Sequence, residues 1–274
     1  VQTDIDHYKR LAPGIDSFHP IFARRPEECI LTMASTFDSQ QFAATYNIPS
    51  YTRKVLVEPE EHGRAMRWHR RVMETIAQGC TADRDQQQAE ETRWILKTPY
   101  FLALLDDVRR AYPDATIVHT HRDPAEVLAS SASVHAKTYG VVSDRLDLHE
   151  IGRQQVDMQR HFLSKAMATR ERWRAAAAAA DEENKTDFRV VDIHLRDLQS
   201  DPMKAVRRLY AEMGDVLTPE AVAAMTQWLA RNERTKHGKH KVEKSDFGLA
   251  DDMAGDPVFE KYSALFKTKQ ATKI

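Results

Sequence analysis

"ATIVHTHRDPAEVLASSAS", residues 115–133, reads as a strand that stops at a charged corner and restarts as a helix. Arg122 stands at that corner, followed by Asp123-Pro124 and the new helix. An arginine there puts a planar fork of donors beside the free backbone N–H groups of a helix start, which is an anion site in outline. Ser130 follows eight residues later, about two helical turns in, where its hydroxyl adds a donor if the helix runs along a bound anion. The plain alternative is that Arg122 pairs with Asp123 or Glu126 and that Ser130 only fills space. Spacing alone leaves both open.

Outward from this corner the chain alternates between the two periodicities. "RWILK" (93–97) and "DFRVVDIHL" (187–195) read as further short strands. Helices are expected over 26–44, where Cys29, Ile30, Met33, Phe37 and Phe42 recur at spacings near three and four, and over 58–77, with Met66, Trp68, Val72, Met73 and Ile76 on one stripe. Another is expected within 98–115, and a long, alanine-rich stretch from about Leu146 to Asp181, interrupted only by Gly152, reads as one or two surface helices. Residues 201–214 form a helix closed by Gly214, and 218–232 one capped by Thr218. The polar stretch 80–92 reads as a loop. Strand and helix in this alternation predict an α/β fold, a parallel sheet with flanking helices. Ligands of such sheets sit beyond the carboxyl ends of the strands, and two cations stand at such ends here, Lys97 and Arg122.

The chain has 274 residues, enough for one large domain, and no internal repeat. Forty basic against forty-one acidic side chains leave a net charge of -1, so nothing global points to nucleic acid or a membrane surface as partner. Cys29 and Cys80 lie far apart without metal or disulfide spacing. No apolar run approaches a membrane span and no leader opens the chain, which gives a soluble, cytoplasmic protein as the expectation. His119 and His121 alternate on one strand, but two histidines without a third ligand make no metal site.

The stretch "RWILKTPYFLALLDDVRRAYPDATIVHTHRDPAEVLASSAS" resembles the central segment of the sulfotransferases that use 3'-phosphoadenosine 5'-phosphosulfate (PAPS), in particular a bacterial-type branch. "RRPEECILTMASTF" (24–37), "HLRDLQSDPMKAVRRLYAEMG" (194–214) and "KHGKHKVEKSDFGL" (236–249) resemble three more stretches of that branch, in its order. The resemblance implies a P-loop-type, three-layer α/β domain that takes PAPS as co-substrate, needs no metal, and moves a sulfuryl group to a hydroxyl or amine of a small-molecule acceptor. By position it assigns Arg122 and Ser130 to the 3'-phosphate, His121 to the nucleotide, and Lys97 to the transferring group, where a cation stabilises developing negative charge. Lys236, His237 and Gly238 fall in a basic loop suited to closing on phosphate; the plain alternative is a solvated charged surface.

Two departures matter. The histidine that deprotonates the acceptor in animal members is Pro99 here, with Tyr100 and Phe101 after it, so another group must take the proton; a buried carboxylate can, and Glu28 is preferred over Glu27. First-turn acids complementing a helix dipole are the plain alternative. Tyr46, Tyr51, Trp68, Tyr100 and Phe101 line an apolar acceptor pocket or, equally, fill the core. The family's opening strand and phosphate-cradling loop find no match among the nine glycines, so the expectation is a single domain over 1–274 whose first strand and loop lie upstream. Two other classes fit parts of the pattern. A noncatalytic interaction protein on the same frame would lack the loop altogether, and a small-molecule kinase would need a Walker lysine and a Mg²⁺-holding acid that are not visible.

Overall fold

The computed structural model describes residues 1–17, 19–57, 62–81, 93–179, 188–232, 242–249 and 255–268. Its helices are α1 (Gln2–Leu11), α2 (Ile30–Met33), α3 (Gln40–Thr45), α4 (Gly63–Thr81), α5 (Leu105–Ala111), α6 (Pro124–Val142), α7 (Leu148–Ala179), α8 (Leu195–Ser200), α9 (Pro202–Met213), α10 (Pro219–Arg231) and α11 (Pro257–Phe266). Strands β1 (Thr116–His121) and β2 (Arg189–His194) pair in parallel, with Thr116 opposite Arg189, His119 opposite Asp192 and His121 opposite His194. Parallel neighbours need a long crossover. Here α6 and α7 supply it, and α7, with 32 residues, spans about 48 Å.

Side-chain chemistry sets the helix boundaries. Asp123, Asp201 and Thr218 cap α6, α9 and α10 by accepting from the backbone N–H of Ala125, Lys204 and Ala221, and each of these helices carries proline in its first turn. Gly214 ends α9 at φ 75°, a left-handed cap. Two helical expectations break. The run 26–44 is interrupted where Phe37 turns left-handed at φ 56° and Ser39 caps a new helix through the N–H of Gln41, so Phe37 points to solvent instead of joining a buried face. The run 98–115 splits into a 3₁₀ turn, Pro99–Ala103, and α5. Residues 93–97, expected as a strand, are extended but unpaired, and Ile95 is 95% exposed.

Two apolar clusters share α7 as a wall. One gathers Met33, Leu56, Met66, Tyr100, Leu104 and Phe162 from the N-terminal helices, and the other Leu128, Tyr139, Ile151, Leu163, Phe247 and Phe259 from α6, the 3₁₀ turn Lys244–Phe247 and α11. Arg160 on α7 clamps α11 through its Nε, 2.7 Å from Asp256. The sheet is less covered than parallel sheets usually are, because Thr116, Val118 and Thr120 face outward. Among the described residues no helix is long and apolar enough to cross a membrane.

Gly152 of α7 has a packing reason. A Cβ there would sit 2.0 Å from the carbonyl oxygen of Phe247. In an unobstructed helix Gly→Ala gains about 1 kcal/mol. Here the overlap is with backbone, and overpacking costs about 3 kcal/mol, so Gly152→Ala is expected to lose about 2 kcal/mol net in urea unfolding. A stabilised variant would show that the 244–247 turn does not rest on α7.

Candidate functional site

Lys97 and Glu28 stand 69 residues apart in sequence and meet as an ion pair in the structure. The backbone brings them there, since the N–H of Cys29 donates to the Lys97 carbonyl at 2.9 Å and so ties the entry of α2 to the extended segment ending at Thr98. Glu28 is largely enclosed while Lys97 is mostly exposed, with side-chain accessibilities of 17% and 67%. A carboxylate and an ammonium therefore share one spot at the edge of the N-terminal helical cluster. Beside them burial pushes the Cys29 thiol above its ordinary pKa, which leaves it a protonated packing residue.

Arg122 follows β1 as the sequence predicts, and its Nε donates to Glu126 at 2.9 Å, the i, i+4 pairing that the plain alternative named. Its Nη edge has no partner among the described residues, so the outer side of the fork remains open to an anion. The helix start beside it is not open. Asp123 takes the N–H of Ala125 on its side chain and those of Glu126 and Val127 on its carbonyl, and Pro124 has none to offer. An anion at this guanidinium would therefore lack those backbone donors. Ser130 lies half-buried on α6.

Both ring nitrogens of His121 have protein partners. Its Nδ1 lies 2.7 Å from the Tyr262 hydroxyl, its Nε2 lies 2.8 Å from Asp192, and its ring stacks on Phe266 with centroids 4.2 Å apart. A nucleotide contact by this ring would have to displace one of those partners. Around it lies a network that the sequence reading missed. Arg170 of α7 donates to both oxygens of Asp192, at 2.6 and 2.7 Å, and to His119 Nδ1 at 2.8 Å. Because arginine only donates, the His119 proton sits on Nε2. Burial, then the charges of His121 and Arg170, pull the His119 pKa down to about 3. Burial alone would raise the Asp192 pKa, but hydrogen bonds from His121 and Arg170 hold it well below the usual carboxylate range. Asp192 thus supplies the third group that His119 and His121 lacked in sequence, with ligand atoms within 4.8 Å of one another, a spacing a metal can use. Arg170 already donates to His119 and Asp192 there and gives the cluster its positive charge.

Tyr100 is wholly buried and donates to Asp38 at 2.9 Å, with His62 Nδ1 3.1 Å from its hydroxyl. Burial and the Asp38 charge drive its pKa upward. It belongs to the core, as does much of Phe101, whereas Trp68 and Tyr46 stay 40% and 45% exposed. Lys236, His237 and Gly238 lie outside the described residues.

Comparison with known proteins follows the same lines. No curated protein matches the chain. Among solved structures, sulfotransferase STF9 from Mycobacterium avium superposes with a TM-score of 0.75 at 20% identity over 97% of this chain and 63% of that one. Sulfotransferase STF1 from Mycobacterium tuberculosis gives 0.68 at 25% identity over 96% of this chain and 61% of that one. The chain thus spans about three fifths of the length of each, and its mostly helical α/β architecture is the P-loop-type fold that they share. The Sulfotransferase family matches residues 2–219, about four fifths of the sequence, and the chain belongs to that family.

Proposed function

We propose that this chain carries the transfer site of a PAPS-dependent sulfotransferase that sulfates a hydroxyl or amine of a small acceptor. The observation that carries this reading is the meeting of Lys97 with Glu28, a cation and a carboxylate brought together from 69 residues apart. Transfer needs those two charges at one point. The acceptor oxygen or nitrogen forms a bond to sulfur as the sulfur–oxygen bond to the donor's 5'-phosphate breaks. The acceptor proton passes to the Glu28 carboxylate, and the Lys97 ammonium offsets the charge that grows on the departing phosphate oxygen, leaving 3'-phosphoadenosine 5'-phosphate. Arg122, with its Nη edge open, reads the 3'-phosphate, Ser130 adds a hydroxyl further along α6, and Lys236, His237 and Gly238 are the further residues this reading assigns to the phosphates. The donor fits these residues because each negative group has a cation or hydroxyl assigned to it and no metal is required.

The comparison of two donors tests the reading. Arg122→Ala is expected to weaken PAPS by about 2 kcal/mol, roughly 30-fold, the scale of hydrogen bonds to a charged group. Adenosine 5'-phosphosulfate, which lacks the 3'-phosphate, should bind the variant as it binds the wild type. Arg122→Lys should resemble the alanine variant, since it keeps the charge and loses the fork. Equal losses for both donors in a variant that melts normally would remove Arg122 from the 3'-phosphate and with it the donor assignment.

A further inference from the structure

Helix α4 presents Arg64, Arg67, Trp68 and Arg71 at positions i, i+3, i+4 and i+7, which is one helical face, while Ala65, Met66 and His69 are buried on the opposite side. The arginine face is exposed to solvent. It forms one wall of a cavity of about 350 Å³ whose other wall is the 3₁₀ turn Ala34–Thr36, through Ser35 and Thr36. The walls are fastened to each other. Arg64 donates one Nη to the Thr36 carbonyl at 3.2 Å, and the Trp68 indole N–H donates to the Thr32 carbonyl at 3.1 Å. Among the described residues, those that line the cavity offer guanidinium groups, two hydroxyls and an indole, and no carboxylate. Arg71 has no acidic partner among the described residues, and Arg64 spends a single donor on a neutral carbonyl.

The groove is close to the proposed transfer site. Glu28 precedes Ser35 by seven residues, and α2 with the following 3₁₀ turn covers that span, a rise of about 10 Å. The groove and Glu28 thus flank the same helix, α2, whose Thr32 carbonyl accepts from Trp68. The volume is that of a pocket for a small ligand. The donors suit phosphate or sulfate groups, and the half-exposed indole suits the face of a sugar ring.

We propose that this groove is the acceptor subsite and that it holds a compact polyanion, the phosphorylated or sulfated part of a saccharide-sized acceptor. The acceptor role rests on the sulfuryl-transfer reading above; the polyanion site does not. Titration calorimetry with fructose 1,6-bisphosphate, and with fructose as the uncharged control, needs neither donor nor turnover. The bisphosphate is expected to bind, more weakly as salt rises, and fructose not to. The double variant Arg64→Ala/Arg71→Ala, melting at the wild-type temperature, should lose at least tenfold in affinity, with Arg64→Lys/Arg71→Lys in between. Equal affinity of the wild type and the alanine variant, or no binding by the wild type, overturns the proposal. The two readings fail separately. Absent polyanion binding beside intact discrimination between the two adenylyl donors refutes the groove alone, and polyanion binding without that discrimination supports the groove and refutes the donor.

Discussion

Between pH 7 and pH 5 two buried histidines alone are expected to cost the protein about 4 kcal/mol of stability, because they refuse the protons that the unfolded chain accepts. His69, enclosed against Tyr112 and Phe101, has its pKa pushed by burial to about 4, and His119 is held at about 3. Both lie below the unfolded value of about 6.5, so in this window the unfolded state binds more protons and stability rises with pH. The contribution is complete above pH 6.5 and drains away as pH falls toward the folded values. At pH 5, one and a half pH units below the unfolded value, each histidine has given up about 2 kcal/mol. His135 and His161, also depressed by burial, act in the same direction. Asp192 does not enter, since its depressed carboxyl costs stability only once pH falls below the unfolded carboxylate range. Urea unfolding at pH 7, 6 and 5 measures the slope, and His119→Gln should flatten it by removing one of the two titrations, whatever it does to the stability at pH 7. A level profile in the wild type would mean that these rings reach water in the folded state.

The same histidines mark how far the sequence could be read. Strand β1 was legible because it is bounded by a turn before it and by Asp123-Pro124 after it, and Arg122 was legible because strand ends are where α/β sheets keep their ligands. The network behind it was not. Asp192 is 71 residues from His121, and only pairing in register brings "DIH" of β2 alongside "HTH" of β1. The available signal was a pair of polar residues at alternate positions in each of two short strands, a pattern that costs too much in a buried sheet unless the groups satisfy one another. Residues 93–97 failed for the opposite reason. A five-residue apolar run specifies extended backbone but not a partner, and among the described residues this one has none. In 26–44 a local cue outweighs hydrophobic spacing, for Asp38-Ser39 is a helix start, and Ser39 caps α3. The proximity of Lys97 and Glu28 was foreshadowed only by the resemblance, since no periodicity links residues 69 apart.

Glu28→Gln is expected to lower kcat by about 100-fold or more, at the low end of what a positioned general base contributes. PAPS affinity should stay within about twofold, because the donor's charges are assigned to Arg122, Ser130 and the basic loop. The ion pair makes this substitution informative. If Glu28 served only to hold Lys97, the glutamine carbonyl would accept from the ammonium in the same place and turnover would hardly change. If Glu28 takes the acceptor's proton, glutamine keeps the shape and loses the function, so kcat falls while KM for the donor does not move. Lys97→Met separates the partners from the other side. It should also lower kcat, because the growing charge on the leaving phosphate loses its counter-ion. Sulfuryl transfer from radiolabelled PAPS, on an acceptor that supports wild-type turnover, reads kcat and the KM for the donor in each variant. Unchanged kcat in Glu28→Gln would return Glu28 to the role of an acid at a helix entrance and leave the proton without a carboxylate to receive it.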